Sequence, residues 1–192
     1  MYRMASAHTD SAVKNGACAS EFDARAFRNA LGAFPTGVCV VTAHTPDGED
    51  IGMTMSSFNS LSLEPPLVLF SIGRQSHSLA QWRQAEGYAI NVLADNQKDI
   101  SGRFARPLSN KWAALDFDRG YAGAPLLRGV IARFECRSRA SHDGGDHVLF
   151  VAEVLRFRIF ENRAALLSYK GNYGSVKPTD EPAPLWPLAI HY

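Results

Sequence analysis

The sequence feature that most constrains this fold is an apolar run followed by a turn and a second strand-like run. Residues 38–43 are apolar or β-branched throughout, a pattern typical of a strand that is buried on both faces. Pro46, Asp47 and Gly48 then supply turn chemistry, and residues 51–54 return as a second strand. The chain is therefore expected to fold around an antiparallel β-hairpin.

Further short elements are predicted on both sides of this hairpin. A helix over residues 21–34 would have Ser20 as its N-cap, with Asp23 three residues on, and would stop at Pro35. Other helices are predicted at 78–84 and 97–104, and other strands at 67–72, 88–93, 130–141 and 148–160. Regular structure is expected to end with residues 164–169. Residues 105–127 show no clean period and are predicted to be a long loop, which we interpret as a lid or a subunit contact.

These elements predict a mainly β, antiparallel protein with a few short peripheral helices. The hairpin spacing favours a barrel of Greek-key type over an alternating α/β sheet. One domain is expected over residues 21–176. It would follow a flexible leader, residues 1–20, and precede a Pro-rich tail, residues 177–192, that drapes over a surface.

Charge and cysteine content restrict the partners and the location. The formal net charge is +1 with no long run of either sign, which argues against nucleic acid or an anionic membrane as the main partner. The apolar runs are far shorter than the ~20 residues that a membrane helix needs. Cys18, Cys39 and Cys136 are odd in number and scattered, so they predict no disulfide framework and favour the cytoplasm.

Residues 52–66 are dense in small hydroxyl side chains and carry no charge before Glu64. Hydroxyls and backbone amides held on strands can bind a flat, polar-edged, phosphorylated ligand. The alternative is an ordinary strand pair with serine on its solvent face. The serine-rich loop 73–78 precedes a short helix and is a candidate phosphate site, because free amides point outward at a helix N-terminus.

Several common functional signatures are absent from the sequence, among them the G-x-G dinucleotide fingerprint, the P-loop and the G-x-S-x-G elbow. His142 and His147, together with Asp143 and Asp146, could hold a metal across a hairpin loop. Alternatively, Asp-Gly-Gly-Asp is simply turn chemistry. In a third interpretation His147 contacts a substrate or cofactor where two strands end.

In combination, these segments resemble the flavin reductases of two-component flavin-dependent monooxygenases, which have the flavin reductase-like, FMN-binding split β-barrel fold. The likeness runs in order over residues 22–176. The motifs that carry it are 34–38 (Phe-Pro-Thr-Gly-Val), 40–42 (Val-Val-Thr), 52–58 (Gly-Met-Thr-Met-Ser-Ser-Phe), 60–69, 73–79, 91–93 (Asn-Val-Leu), 143–147 (Asp-Gly-Gly-Asp-His) and 169–174 (Tyr-Lys-Gly-Asn-Tyr-Gly).

The resemblance implies a homodimer that binds FMN or FAD and reduces it with NADH or NADPH. The reduced flavin would diffuse to a partner monooxygenase. No metal is implied, because the cofactors carry the chemistry of hydride transfer. Two alternatives remain open: a tightly bound flavin that reduces another substrate directly, and a non-catalytic flavin- or haem-binding barrel.

The resemblance also implies a set of site residues. The implied flavin contacts are Thr36, Gly37, Thr54, Met55, Ser56, Ser57, Ser60, Ser76, His77, Asn91, Val92 and Leu93. His147 would contact the nicotinamide or cap the flavin, with Tyr173 nearby. Lys170 stands where family members often have arginine, which keeps the charge but removes bidentate phosphate geometry.

Overall fold

The computed structural model describes residues 22–107, 110–160 and 163–176. Its helices are α1 (Ala24–Leu31), α2 (Leu79–Gln84) and α3 (Lys98–Ala105), with a 3₁₀ turn at Tyr121–Gly123. The strands are β1 (Thr36–Gly37), β2 (Cys39–His44), β3 (Asp50–Met55), β4 (Asn59–Leu63), β5 (Pro66–Gly73), β6 (Gly87–Val92), β7 (Phe117–Arg119), β8 (Pro125–Leu127), β9 (Ala132–Gly144), β10 (His147–Ile159), β11 (Leu166–Tyr169) and β12 (Asn172–Ser175).

Seven strands form one antiparallel sheet in the order β3-β2-β6-β9-β10-β5-β4. The predicted hairpin is its first unit, with Val41 opposite Met53. A three-stranded sheet, β1-β11-β12, and the β7-β8 pair complete the described β-structure.

The seven-stranded sheet curls around one core. Ile51 and Met55 of β3 share a buried cluster with Phe70 and Ile72 of β5, although the two strands are far apart in the strand order. Only a sheet that closes toward itself can bring them together, which is the barrel that the hairpin spacing predicts.

Strand β2 is buried on both faces, as its composition predicts. Val41 and Ala43 enter the barrel core, whereas Val40 joins a second cluster with Leu93 and Phe104 outside the barrel. Side chains alternate along a strand, so one apolar run serves both clusters. The second cluster attaches α3 and the segment after it to the barrel.

Three expectations about secondary structure were wrong. Helix α1 begins at Ala24, and its cap is Asp23, whose carboxylate accepts from the amides of Arg25 and Ala26 at 2.8 and 3.1 Å. The segment 105–127 contains β7, β8 and the 3₁₀ turn, because Phe117 and Leu127 pair as strand partners. Regular structure does not end at Tyr169, since β12 follows it.

The apolar side of α1 exists as predicted, but no described residue covers it. Phe27 and Leu31 are 48% and 59% exposed, and none of the residues of α1 is buried. The predicted leader, Ser20, Cys18 and the Pro-rich tail lie outside the described residues. Among the helices of the described ranges, none is long and apolar enough to cross a membrane.

Candidate functional site

A cavity of about 610 Å³ lies between β3, the loop after β5 and the end of α3. This volume falls within the ~300–1,000 Å³ that is typical of small-ligand sites. The wall combines apolar, hydroxyl and cationic side chains, including Met53, Thr54, Ser76, His77, Phe104 and Lys111. We call it the main cavity.

Helix α3 is held close to β3 on one side of the main cavity. The hydroxyl of Thr54 donates to the Ser101 carbonyl at 2.7 Å, and the Ser101 hydroxyl lies 2.8 Å from the hydroxyl of Tyr173. A Cβ on Gly52 would lie 2.6 Å from Cε1 of Phe104, so glycine is required for this approach. The Thr54 hydroxyl is therefore held by α3, and Tyr173 of β12 in turn contacts α3 at Ser101.

The loop after β5 forms the opposite side. Its chain turns where the Ser76 amide donates to the Gly73 carbonyl at 2.9 Å. The Ser78 hydroxyl lies 3.2 Å from that of Ser76 and accepts from the Trp82 indole at 3.2 Å. Since Trp82 is fully buried, these bonds tie the loop to the barrel core.

The turn between β9 and β10 packs beside this loop and holds it. The Arg74 amide donates to the Asp146 carbonyl at 2.8 Å, and its guanidinium donates to the Gly145 carbonyl at 2.7 Å and forms an ion pair with Asp143. The hydrogen bond from Arg74 lowers the pKa of the Asp143 carboxyl. His147 Nδ1 lies 2.7 Å from an oxygen of Asp146, and this bond lowers the pKa of the Asp146 carboxyl.

These contacts bear on the metal alternative. Both carboxylates of the turn are engaged, Asp143 by Arg74 and Asp146 by His147. Within residues 22–107, 110–160 and 163–176 there is no group of three or more potential ligands that could hold a metal ion. Turn chemistry accounts for the Asp-Gly-Gly-Asp sequence.

Of the residues implied by the resemblance, three line the main cavity: Thr54, Ser76 and His77. Strand β3 and the loop at residues 73–78 meet there, although they are about twenty residues apart in sequence. Sequence patterns alone named these two segments separately, and the barrel brings them together.

Several other implied residues lie outside this lining. Met55 and Leu93 are buried in the two cores, and Ser57 exchanges hydrogen bonds with the Ser71 backbone. The remaining positions are distributed over neighbouring strands: Thr36 and Gly37 on β1, Ser56 after β3, Ser60 on β4, Val92 on β6, His147 on β10 and Tyr173 on β12.

Asn91 is fully buried and its amide is used by the protein itself. Its nitrogen donates to the Val40 carbonyl at 3.1 Å and to the Thr42 hydroxyl at 3.2 Å, and its oxygen accepts from the Leu127 amide at 2.9 Å. Asn91 therefore joins β2 and β6 to β8.

Seven residues of the main cavity are not among the implied site residues: Met53, Ser78, Phe104, Ala105, Arg106, Pro107 and Lys111. Arg106 and Lys111 belong to the segment 105–127, whose lack of period marked it as functional. No sequence signal showed that its cations face β3, because that depends on how α3 packs against the barrel.

Comparisons with known proteins point to one family. A profile described as "Flavin reductase like domain" matches residues 31–177. The NADH-dependent FMN reductase SmoA of Agrobacterium fabrum is 50% identical over 134 residues, which is 70% of this chain and 76% of that protein. Stc3, the stachydrine N-demethylase reductase subunit of Rhizobium meliloti, is 44% identical over 140 residues, which is 73% of this chain but 61% of that protein.

A solved structure agrees with these relatives. SgcE6, an NADH:FAD oxidoreductase of Streptomyces globisporus C-1027, superposes with a TM-score of 0.78 at 33% identity, over 83% of this chain and 96% of that one. The fold predicted from the sequence, mainly β and barrel-like, is confirmed by this match.

Proposed function

The chain belongs to the flavin reductase like domain family, and we propose that it is an NAD(P)H-dependent flavin reductase of the EC 1.5.1.- class. It transfers a hydride from NADH or NADPH to FMN or FAD. SmoA acts on FMN and SgcE6 on FAD, both with NADH, so both flavins are candidates and NADH is the favoured donor. The observation that carries the proposal is the main cavity, where Thr54, Ser76 and His77 meet two cations.

The residues of the main cavity fit a flavin nucleotide. Met53 and Phe104 offer apolar surface to a flat ring, and the Thr54 hydroxyl lies beside them for its polar edge. Arg106 and Lys111 provide positive charge for a phosphate. A bound flavin supplies the hydride-accepting chemistry, so the protein needs no nucleophile or metal of its own.

His147 is the residue that we assign to nicotinamide contact. Asp146 holds its Nδ1, while Nε2 would lie 3.7 Å from a Cβ on Gly73, at the start of the loop that lines the main cavity. The carboxylate thus fixes the imidazole and leaves Nε2 on the side of the loop. In this position His147 would orient the nicotinamide ring for hydride transfer and would not itself exchange a proton or form a bond.

We further propose that the reduced flavin leaves the enzyme and reaches a monooxygenase by diffusion. HsaB of Rhodococcus jostii, 38% identical over 172 residues, is the reductase subunit of a flavin-dependent monooxygenase, which supports a partner of this kind. The main cavity offers a phosphate two cations, Arg106 and Lys111, both from the short segment 106–111. We therefore expect a moderate affinity for flavin, which allows the reduced product to dissociate.

A homodimer and a cytoplasmic location belong to the same proposal. The exposed apolar side chains Phe27, Leu31, Phe157 and Ile159 support the dimer, because a two-fold partner is the usual way to cover such a surface. Scattered cysteines support a reducing compartment.

The test is an anaerobic titration of the purified protein with NADH or NADPH in the presence of FMN or FAD. We expect NADH oxidation only when a flavin is added, with saturation in both substrates. Turnover without added flavin, and a yellow colour that survives dialysis, would favour the tightly bound flavin. If neither NADH nor NADPH bleaches FMN or FAD, the protein is a non-catalytic flavin- or haem-binding protein.

The role of His147 is tested by His147→Ala, with His142→Ala on the facing strand as the matched control. We expect His147→Ala to slow flavin reduction by about tenfold to 100-fold, because the nicotinamide ring would no longer be aligned with the flavin ring. The Kd for flavin should change much less, and His142→Ala should change neither. The opposite pattern, weak flavin binding with normal reduction, would move His147 to the flavin site.

A further inference from the structure

A second, smaller cavity of about 210 Å³ adjoins the main cavity. We call it the side cavity. Ser78 and Lys111 line both cavities, so the two cavities adjoin at these two residues. A ligand that fills the main cavity and continues past Lys111 enters the side cavity.

Lys111 is placed to meet an anion at this junction. Its ammonium donates to the carbonyls of Gly52 and Phe104 at 3.3 and 3.4 Å, which are long bonds to neutral acceptors. Partial burial lowers the pKa of the Lys111 ammonium, because its charge is poorly solvated there. A phosphate in contact with it would offset that cost.

The side cavity itself has the opposite character. Glu49 lines it and accepts from the Gln81 amide at 3.0 Å. The Glu49 carboxylate disfavours a phosphate by charge repulsion, and it accepts hydrogen bonds from an amine or a hydroxyl.

An aromatic ring completes the side cavity. The Trp112 indole donates to the Asp50 carbonyl at 2.8 Å and packs edge-on against Phe104, with ring centroids 4.9 Å apart. The indole is therefore held in place and can contact another flat ring. The Lys111 ammonium at the junction matches a diphosphate. The acceptor Glu49 and the Trp112 ring beyond it match the adenosine that such a diphosphate would carry.

We propose that the side cavity binds the adenosine end of FAD and that Lys111 contacts the phosphates that join its two halves. Adenosine diphosphate is also part of NADH, but the side cavity continues the proposed flavin cavity, so we assign it to FAD. The inference rests on the proposed function. It adds that this chain binds FAD more tightly than FMN.

The first test measures Kd values for FAD, FMN and riboflavin by flavin fluorescence, with no nicotinamide present. Gln81→Trp places a bulky side chain in the side cavity. We expect it to raise the Kd for FAD by about tenfold or more, since a filled pocket excludes its ligand. The Kd values for FMN and riboflavin should stay within about twofold. Equal Kd changes for FAD and FMN would overturn the proposal.

Lys111→Met removes the junction charge and has Lys98→Met, an exposed lysine at the start of α3, as its control. We expect Lys111→Met to raise the Kd for FAD by about 10-fold to 100-fold, because a charge-assisted phosphate contact is lost. Riboflavin has no phosphate and should bind as before. If Lys111→Met weakens riboflavin as much as FAD, the phosphate contact is wrong.

Wild-type protein provides a test that depends on no variant. ADP should displace FAD from the protein and should not displace riboflavin. FAD that resists ADP would contradict the shared adenosine site.

The KM for NADH separates the two sources of adenosine diphosphate. If Gln81→Trp raises the KM for NADH and leaves the Kd for FAD unchanged, the side cavity belongs to the nicotinamide nucleotide and the assignment to FAD is wrong. NADH oxidation with riboflavin as acceptor reports on the proposed function independently, so a failed side-cavity test with this activity intact rejects only the further inference.

Discussion

At the scale of single residues, the buried polar pair Asn91 and Thr42 links three strands of the fold, β2, β6 and β8. Both side chains are fully buried, and the Thr42 hydroxyl donates to the Pro125 carbonyl. Together with the bond from the Leu127 amide to Asn91, they fasten β8 to the barrel. A buried polar group that loses its partner costs more than the bond itself contributes, because water does not replace the partner.

Asn91→Ala is expected to lower the free energy of unfolding by about 2–4 kcal/mol, because it leaves buried groups unsatisfied as well as removing volume. Thr42→Val keeps the shape of the side chain and removes only the hydroxyl, so we expect a smaller loss of about 1–2 kcal/mol. Urea denaturation measures both. Flavin affinity of folded Asn91→Ala should remain. Full stability with lost flavin affinity would instead make Asn91 a direct flavin contact.

At the scale of elements, the tip of the β9–β10 hairpin determines the position of the loop after β5. Arg74 is the link, since its backbone bonds to Asp146 and its guanidinium to Gly145 and Asp143. A loop that is held in this way keeps its binding residues in place, although the loop itself contributes few buried side chains.

The pair of Arg74 and Asp143 makes this support dependent on pH. Its contribution is complete above the ordinary aspartate pKa of about 3.9 and is lost as the pH falls through the lower value in the folded protein, because protonation removes the charge that Arg74 binds. We expect the Asp143 carboxyl to titrate below 3.9 by carbon NMR, and Arg74→Gln to restore the ordinary value.

Asp143→Asn should lower the Tm at neutral pH, and the difference from wild type should shrink as the pH falls toward 3. Asp47→Asn, in the β2–β3 turn, is the control, because no ion pair of Asp47 occurs in the described part of the chain. A difference that is constant with pH would show that Asp143 acts through packing alone.

At the scale of the whole molecule, the main feature is a set of large apolar side chains that no residue in the described part of the chain buries. Phe157 and Ile159, on the far half of β10, are 70% and 69% exposed, and Phe27 and Leu31 of α1 are about half exposed or more. Single apolar side chains on a surface are ordinary, but several on two elements indicate an interface.

Phe157→Glu is expected to weaken the proposed dimer by about tenfold or more in Kd, because a buried charge replaces an aromatic anchor of the interface. Light scattering after size exclusion at micromolar concentration measures the mass. Ser141→Glu adds the same charge to an exposed position of β9 and should leave the dimer intact. Wild-type protein that runs as a monomer would contradict the dimer.

The sequence by itself determined the local elements and the family. Alternation, turn residues and apolar runs act between neighbours in the chain, so they predicted the hairpin of β2 and β3, the long strands β9 and β10, and the three helices to within a few residues. Helix α1 begins later than predicted because the Asp23 carboxylate accepts from the amides of Arg25 and Ala26 and caps the helix there.

Only the tertiary structure decided which residues meet. Thr54, Ser76 and His77 reach one cavity because the sheet curls and places β3 beside the loop after β5. Asn91 belongs to a family motif, yet its side chain is buried and bonds to the Leu127 amide of β8. The sequence of β6 could not show this, because the burial depends on how β8 packs against β6. Lys111 reaches the junction of two cavities because Trp112 packs on Phe104. Contacts between segments that are distant in the sequence leave no periodic pattern in it, so the sequence does not predict them. These contacts determine the site.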